Sequence, residues 1–162
     1  MIVVSNTSPI TNLAAIGQLD LLRQIYRQVI VPETVFQELT AEGGHHPGAI
    51  VRELDWMQSR RVSNLAVVTV LQVELDAGEA EAIALAQELP ADLLLIDEHL
   101  GRVVATRLGI RIIGLLGVLI EAKYRRLITE VKPLVDALIS RGFRIGNDLY
   151  VRVLEAAEEQ KP

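Results

Sequence analysis

The stretch Leu93-Leu94-Leu95-Ile96-Asp97-Glu98 constrains this chain more than any other. Four consecutive large aliphatic residues bounded by polar ones read as a strand buried on both faces, the kind found in parallel sheets. In open α/β sheets, ligands and catalytic groups gather just beyond the carboxyl ends of strands. Asp97 and Glu98 stand in that place. What matters next is which other acidic groups the fold brings to meet them.

Taken in order, Ile2-Val3-Val4 is a short β-branched strand that leaves the core through Ser5-Asn6-Thr7-Ser8-Pro9. Residues 9–16 form a helix closed by Gly17, and Asp20 to Tyr26 form a second. Val29-Ile30-Val31 is the next strand, and Pro32-Glu33-Thr34 opens a helix that runs to Thr40 and contains Glu38. Residues 42–48 are dense in breakers and form a loop. A helix is expected over 49–57, then an edge strand at Val67-Val68-Thr69-Val70. Asp76-Ala77-Gly78-Glu79 opens an alanine-rich helix over 80–89, ended by Pro90. Beyond the central strand, a helix over 99–108 capped by Gly109 leads to a strand at 110–113. From Gly114 onward the pattern is helical only, over 115–126, 131–141 and 148–159. Strands alternating with helices through short links predict a parallel sheet covered on both faces. The expectation is an α/β fold of three layers, with a central, mainly parallel sheet flanked by helices and a helical C-terminal tail. Without a linker or repeat, residues 1–162 are expected to form one domain.

Composition removes several alternatives. The chain has 162 residues, half of them hydrophobic, which suits a domain with a real core. It contains no cysteine, so disulfides and thiolate metal sites are excluded. The three histidines do not make a zinc pattern, since His45 and His46 are adjacent and His99 is remote. A net charge of −5 and a pI near 5.2 argue against a generally basic, nucleic-acid-coating surface. Local basic patches remain at Arg60-Arg61, Lys123-Tyr124-Arg125-Arg126 and Arg141/Arg144. No apolar run approaches the ~20 residues that span a bilayer, and the start lacks the charged region of a signal peptide. The expected compartment is the cytoplasm, with no membrane partner.

Several acidic or amide side chains then point at one place. Asn6 follows the first strand, Glu38 lies on an early helix, Glu79 and Glu81 open the alanine-rich helix, and Asp97 and Glu98 follow the central strand. Carboxylates gathered without lysines repel one another, so a stable cluster calls for a cation. Hard oxygen ligands favour magnesium or manganese. One such ion, or two about 3.5–4 Å apart, activates water and stabilises phosphodiester cleavage. Each residue also has a plainer use. Asn6 is a good N-cap, Glu38 suits a solvent-facing helix position, Glu79 suits a helix dipole, and Asp97 suits the cap of the helix after it.

Four stretches of the chain, in order, resemble the motifs of PIN-domain nucleases. They are Val3-Val4-Ser5-Asn6-Thr7-Ser8-Pro9-Ile10, Val31-Pro32-Glu33-Thr34-Val35-Phe36-Gln37-Glu38-Leu39, Gly78-Glu79-Ala80-Glu81-Ala82-Ile83-Ala84-Leu85-Ala86 and Leu94-Leu95-Ile96-Asp97-Glu98. The continuation, from Arg107-Leu108-Gly109-Ile110 through Gly117-Val118-Leu119 to Gly142-Phe143-Arg144-Ile145, resembles the prokaryotic VapC-like subgroup. The resemblance implies a magnesium- or manganese-dependent endoribonuclease, often the toxin of a toxin–antitoxin pair, and a homodimer. It implies catalytic roles for Glu38, Glu79 and Asp97. Asn6, Glu38, Glu79, Glu81, Asp97 and Glu98 become the candidate metal ligands. One departure stands out, because position 6 is asparagine where the wider family has aspartate. Its carbonyl oxygen can still meet a metal, but the site loses one negative charge; Thr7 and Ser8 offer hydroxyls beside it.

Three function classes follow. The first is a PIN-type ribonuclease acting on RNA, with Arg102 and Arg107 as candidates to hold phosphate. The second is a catalytically weak or inactive PIN-fold module that binds RNA or a partner protein such as an antitoxin. The third is an open-sheet enzyme for a small phosphorylated molecule, disfavoured because Ser5–Pro9 replaces a glycine-rich phosphate loop.

Overall fold

The computed structural model describes residues 1–41 and 47–160. Five strands, β1 (Val3–Ser5), β2 (Val29–Pro32), β3 (Met57–Arg60), β4 (Leu93–Leu95) and β5 (Ile112–Ile113), form one sheet in the order β3-β2-β1-β4-β5. Every pairing is parallel, with Val4 opposite Ile30 on one side and Leu94 on the other. Around the sheet run α1 (Thr7–Ala15), α2 (Asp20–Tyr26), α3 (Glu33–Thr40), a 3-10 helix (Pro47–Glu53), α4 (Leu65–Leu71), α5 (Ala77–Glu88), α6 (His99–Arg107), α7 (Leu115–Tyr124), α8 (Lys132–Ser140) and α9 (Asn147–Ala156).

Alternation along the strands divides the core between the two faces. Val3, Val29, Val31 and Leu95 face one side with Leu13 of α1, Leu22 of α2 and Leu119, Leu138 and Val153 from α7, α8 and α9. Val4, Leu94 and Ile96 face the other with Ile83 and Leu85 of α5, Val68 of α4 and Val104 of α6. This is the three-layer α/β arrangement expected from the sequence. Its C-terminal helices are core material, since Leu115, Val118, Val131 and Val135 are fully buried. Gly17 and Gly109 follow α1 and α6 with φ of +69° and +79°, the left-handed backbone that glycine adopts without a Cβ penalty.

Two expectations fail in one region. The helix expected over 49–57 is a 3-10 helix ending at Glu53, and Met57 already begins β3. The edge strand expected at 67–70 is helix α4. Its β-branched run is overridden by capping and packing. Asn64 Oδ1 accepts from Val67 N at 3.2 Å, and the Glu88 carboxylate accepts from Ser63 N and Asn64 N at 2.9 Å each. Val68 and Leu75, with Leu71 packed beside them, then lie on α5 at helical spacing. The true edge strand, β3, is polar and exposed at three of its four positions. It is a strand because it pairs with β2 from Val29↔Met57 to Pro32↔Arg60. The breaker-rich loop lies almost wholly outside the described residues. Among the described residues, no helix is long and apolar enough to cross a membrane.

Candidate active site

The chain leaves β1 toward β2 and β3 on one side and leaves β4 toward β5 on the other. The strand order therefore reverses between β1 and β4, and a crevice opens beyond their carboxyl ends. Asn6 N donates to Leu95 O at 2.9 Å and ties the two strand ends together. A cleft of about 280 Å³ lies there. One wall is uncharged and comes from the start of α1: Asn6, Thr7, Ser8, Thr11 and Asn12. The other is acidic: Glu38 from α3, Asp76 and Glu79 from the start of α5, and Glu98 before α6. Four of the six expected site residues (Asn6, Glu38, Glu79 and Glu98) thus line one cleft.

Asn6 occupies the N-cap position of α1, yet its side chain makes no capping hydrogen bond. It is only 5 % exposed and keeps its amide toward the cleft. Glu38 is exposed; Thr7 Oγ1 donates to its Oε2 at 2.5 Å, and the carboxylate stands where a Cβ on Gly78 of α5 would meet it. Glu79 sits under the cap of its own helix, where Asp76 Oδ1 accepts from Glu79 N at 2.8 Å. Burial, then the neighbouring carboxyls of Asp76 and Glu98, push Glu79 from an ordinary 4.5 up to about 7. Negative charge is crowded here, and among the described residues no lysine or arginine lines the cleft to offset it.

Asp97 is not among the residues that line the cleft. Its Oδ1 accepts from Leu115 N at 2.8 Å, so it caps the start of α7 and not the helix that follows it. Its Oδ2 is buried with no hydrogen-bond partner. Burial raises the Asp97 pKa, against the opposing pull of the Leu115 N–H and Arg102. A buried carboxylate oxygen left so is an unsatisfied acceptor, and a bound cation is one partner that would relieve it.

Glu81 is placed elsewhere. Its carboxylate accepts from the backbone N–H and hydroxyl of Thr34 at the start of α3. Glu81→Ala is expected to cost about 1–2 kcal/mol in urea unfolding, the size of a lost charge-assisted cap. Manganese affinity, measured by titration, should stay within about twofold of wild type, because the side chain does not reach the cleft. The arginines also differ from expectation. Arg102 turns inward, with Nη1 directed at Ile96 O over 3.4 Å. Arg107 ends α6, the link between the parallel strands β4 and β5, and therefore stands toward the amino-terminal ends of the strands, away from the cleft. Among the basic patches, Arg61 pairs with Glu33, Lys123 with Glu159 and Arg125 with Glu121.

Sequence reasoning missed Asp76, Thr11 and Asn12 as parts of the cleft. Asp76 had a readable signal, the Asp-x-x-Glu spacing of a capping box at 76–79. Thr11 and Asn12 follow from Thr7 and Ser8 by one helical turn.

The raised Glu79 carries a pH dependence. An acid whose folded pKa lies above its unfolded value contributes stability that is full below the unfolded pKa and lost as pH rises through the folded one. The metal-free protein is therefore expected to lose stability between about pH 4.5 and 7 through Glu79. Thermal melts of wild type and Glu79→Gln in a chelating buffer should converge at pH 4 and separate by pH 8, with the variant higher.

An acidic cleft at the switch point of an open parallel sheet defines an α/β domain with a candidate site at its strand ends. A family model described as a PIN domain matches residues 2–159. The chain belongs to the PIN domain family. No curated protein and no solved structure matches it. PIN domains are in general a nuclease fold and in general depend on a divalent metal ion.

The donor set fits such an ion. Every candidate ligand atom is a hard oxygen, and the buried Asp97 Oδ2 has no other partner. Among the described residues no three acidic or histidine side chains already converge as a metal cluster. Magnesium is ordinarily held through one or two carboxylates with water completing its shell, and this arrangement suits that mode.

Proposed function

We propose that this chain is a magnesium- or manganese-dependent endoribonuclease of the VapC-like kind, the cytoplasmic toxin of a toxin–antitoxin pair. The observation that carries the reading is the lining of one cleft by Asn6, Glu38, Asp76, Glu79 and Glu98, with the buried, unpartnered Asp97 Oδ2 on the residue just before Glu98. Glu38, Glu79 and Asp97 would hold the cation, assisted by Asn6 and Glu98. When bound, the ion would supply Lewis-acid stabilisation of the phosphodiester and a more acidic water.

The protein's own groups divide the remaining tasks. On the uncharged wall the Ser8 hydroxyl and the second N–H of the Asn12 amide can donate to ribose or phosphate, whereas the Thr7 and Thr11 hydroxyls already donate to Glu38 Oε2 and Thr7 O. Thr7 fixes one oxygen of Glu38. Glu79, whose pKa the metal-free cleft raises to about 7, would give up its proton when a cation binds there, which makes that binding favour higher pH. Asp97 is anchored by the Leu115 N–H, so its free oxygen keeps a fixed direction.

One observation favours a second reading, a PIN-fold module that binds RNA or a partner protein with little chemistry. The buried residue at position 6 is a neutral amide, which removes a charge where a cation would need it. Titrating magnesium and then manganese into wild type and Asp97→Asn, alongside cleavage of a labelled RNA pool, separates the two. Binding lost in the variant together with manganese-dependent cleavage supports the nuclease. A wild type that neither binds metal nor cuts overturns it in favour of the binding module.

A further inference from the structure

The helix α5 is built on alanine, at positions 77, 80, 82, 84 and 86, yet its first turn carries glycine at 78. Glycine is the poorer helix residue, so the exchange needs a local reason. Backbone strain does not supply one, because Gly78 keeps an ordinary helical conformation without a positive φ. Space does. A Cβ built on Gly78 would stand 2.8 Å from Glu38 Oε1 and 3.3 Å from Oε2, closer than real Cβ atoms approach a first neighbour. The obstruction falls on the end of an exposed, flexible side chain. An alanine would therefore push the carboxylate aside and leave the helix standing.

We propose that Gly78 is a positioning residue: its missing β-carbon sets where the Glu38 carboxylate stands, and with it the metal affinity of the cleft. The second half rests on the cation-dependent reading above. Glu38 then takes its place from two elements, the Thr7 hydroxyl of α1 that donates to Oε2 and the room that the missing β-carbon of α5 leaves for Oε1. Gly114 repeats the device for Asp97, whose Oδ1 would lie 2.8 Å from a Cβ there. Arg102 crowds that position too, so substitution at 114 would disturb more than the acid.

The test is Gly78→Ala, read in two ways. The first readout is the side-chain carboxyl ¹³C resonance of Glu38, assigned by its disappearance in Glu38→Gln and followed in metal-free protein. The second is the manganese dissociation constant from titration calorimetry. The resonance should shift, the dissociation constant should rise about tenfold, the usual size of a lost orienting contact, and the melting temperature should not fall. Thr7→Val removes the hydroxyl donor without touching α5 and should move the same resonance. An unchanged Glu38 resonance in Gly78→Ala overturns the proposal, as does a shifted resonance with wild-type manganese affinity. If the wild type binds no manganese, the nuclease reading fails by itself, while the resonance still decides whether Gly78 places the carboxylate.

Discussion

Asp97→Asn should abolish RNA cleavage and yet raise the melting temperature of the metal-free protein. The two effects have one origin. Asp97 carries a buried, unpartnered Oδ2, and burial raises its pKa. At neutral pH the folded state is therefore penalised for ionising it, a cost the unfolded chain does not bear. Asparagine keeps an oxygen for the Leu115 N–H, so the start of α7 stays capped and the penalised charge is gone. Each kcal/mol recovered should appear as roughly 2–4 °C in a thermal melt. Arg102 loses a neighbouring charge, which limits the gain. Cleavage of labelled RNA should fall by at least about 10²-fold, because even groups that only orient a metal ligand contribute that order. Asp97→Ala makes the contrast, since it strands the Leu115 N–H and should lower stability by about 1–3 kcal/mol. A stabilised variant with wild-type cleavage would remove Asp97 from the chemistry.

Asn6→Asp is the second large effect. The side chain is almost wholly buried at the N-cap position of α1, with no capping bond to lose. An aspartate there adds a charge to a cleft already crowded by Glu38, Asp76, Glu79 and Glu98. Without metal, the melting temperature should drop by about 5 °C or more, the result expected for a poorly partnered buried charge. With manganese the order should reverse, because ligand binding to the folded state alone restores stability by mass action. Manganese affinity should rise at least about tenfold, each factor of ten being 1.4 kcal/mol. In a working nuclease the cleavage rate should change only modestly. In the binding-module alternative, cleavage should appear where wild type shows none, so this one substitution ranks the two readings.

How far the sequence carried is clearest from single residues. Leu93 to Ile96 was legible because a buried parallel strand leaves an unbroken apolar run, and Asp97 follows that strand as expected without lining the cleft. Glu79 was legible from its helix start. The β3–α4 region was not. Met57-Gln58-Ser59-Arg60 has no strand pattern of its own and becomes one by pairing with β2, while the β-branched 67–70 run is turned helical by Asn64 and Glu88. Both depend on contacts more than 20 residues away in the chain, which local pattern does not contain. The same limit applies within the site. Glu81 follows Glu79 by two residues, and only the packing of α3 on α5 shows that its carboxylate answers Thr34 and not the cleft. Asp97 as the cap of α7 required Leu115, 18 positions on.

The pairing of β1 also orders events during synthesis. One of its edges can be satisfied once β2 is made, but the other waits for β4, where Ile2 meets Asp92 across a separation of 90 residues. Glu38, Asp76 and Glu79 all leave the ribosome before that partner does. A nascent chain stopped short of residue 93 therefore carries most of the acids and none of the crevice, because the crevice is the gap between two strand ends of which one is missing. A chain interrupted there has no crevice, which takes shape only once β4 is beside β1.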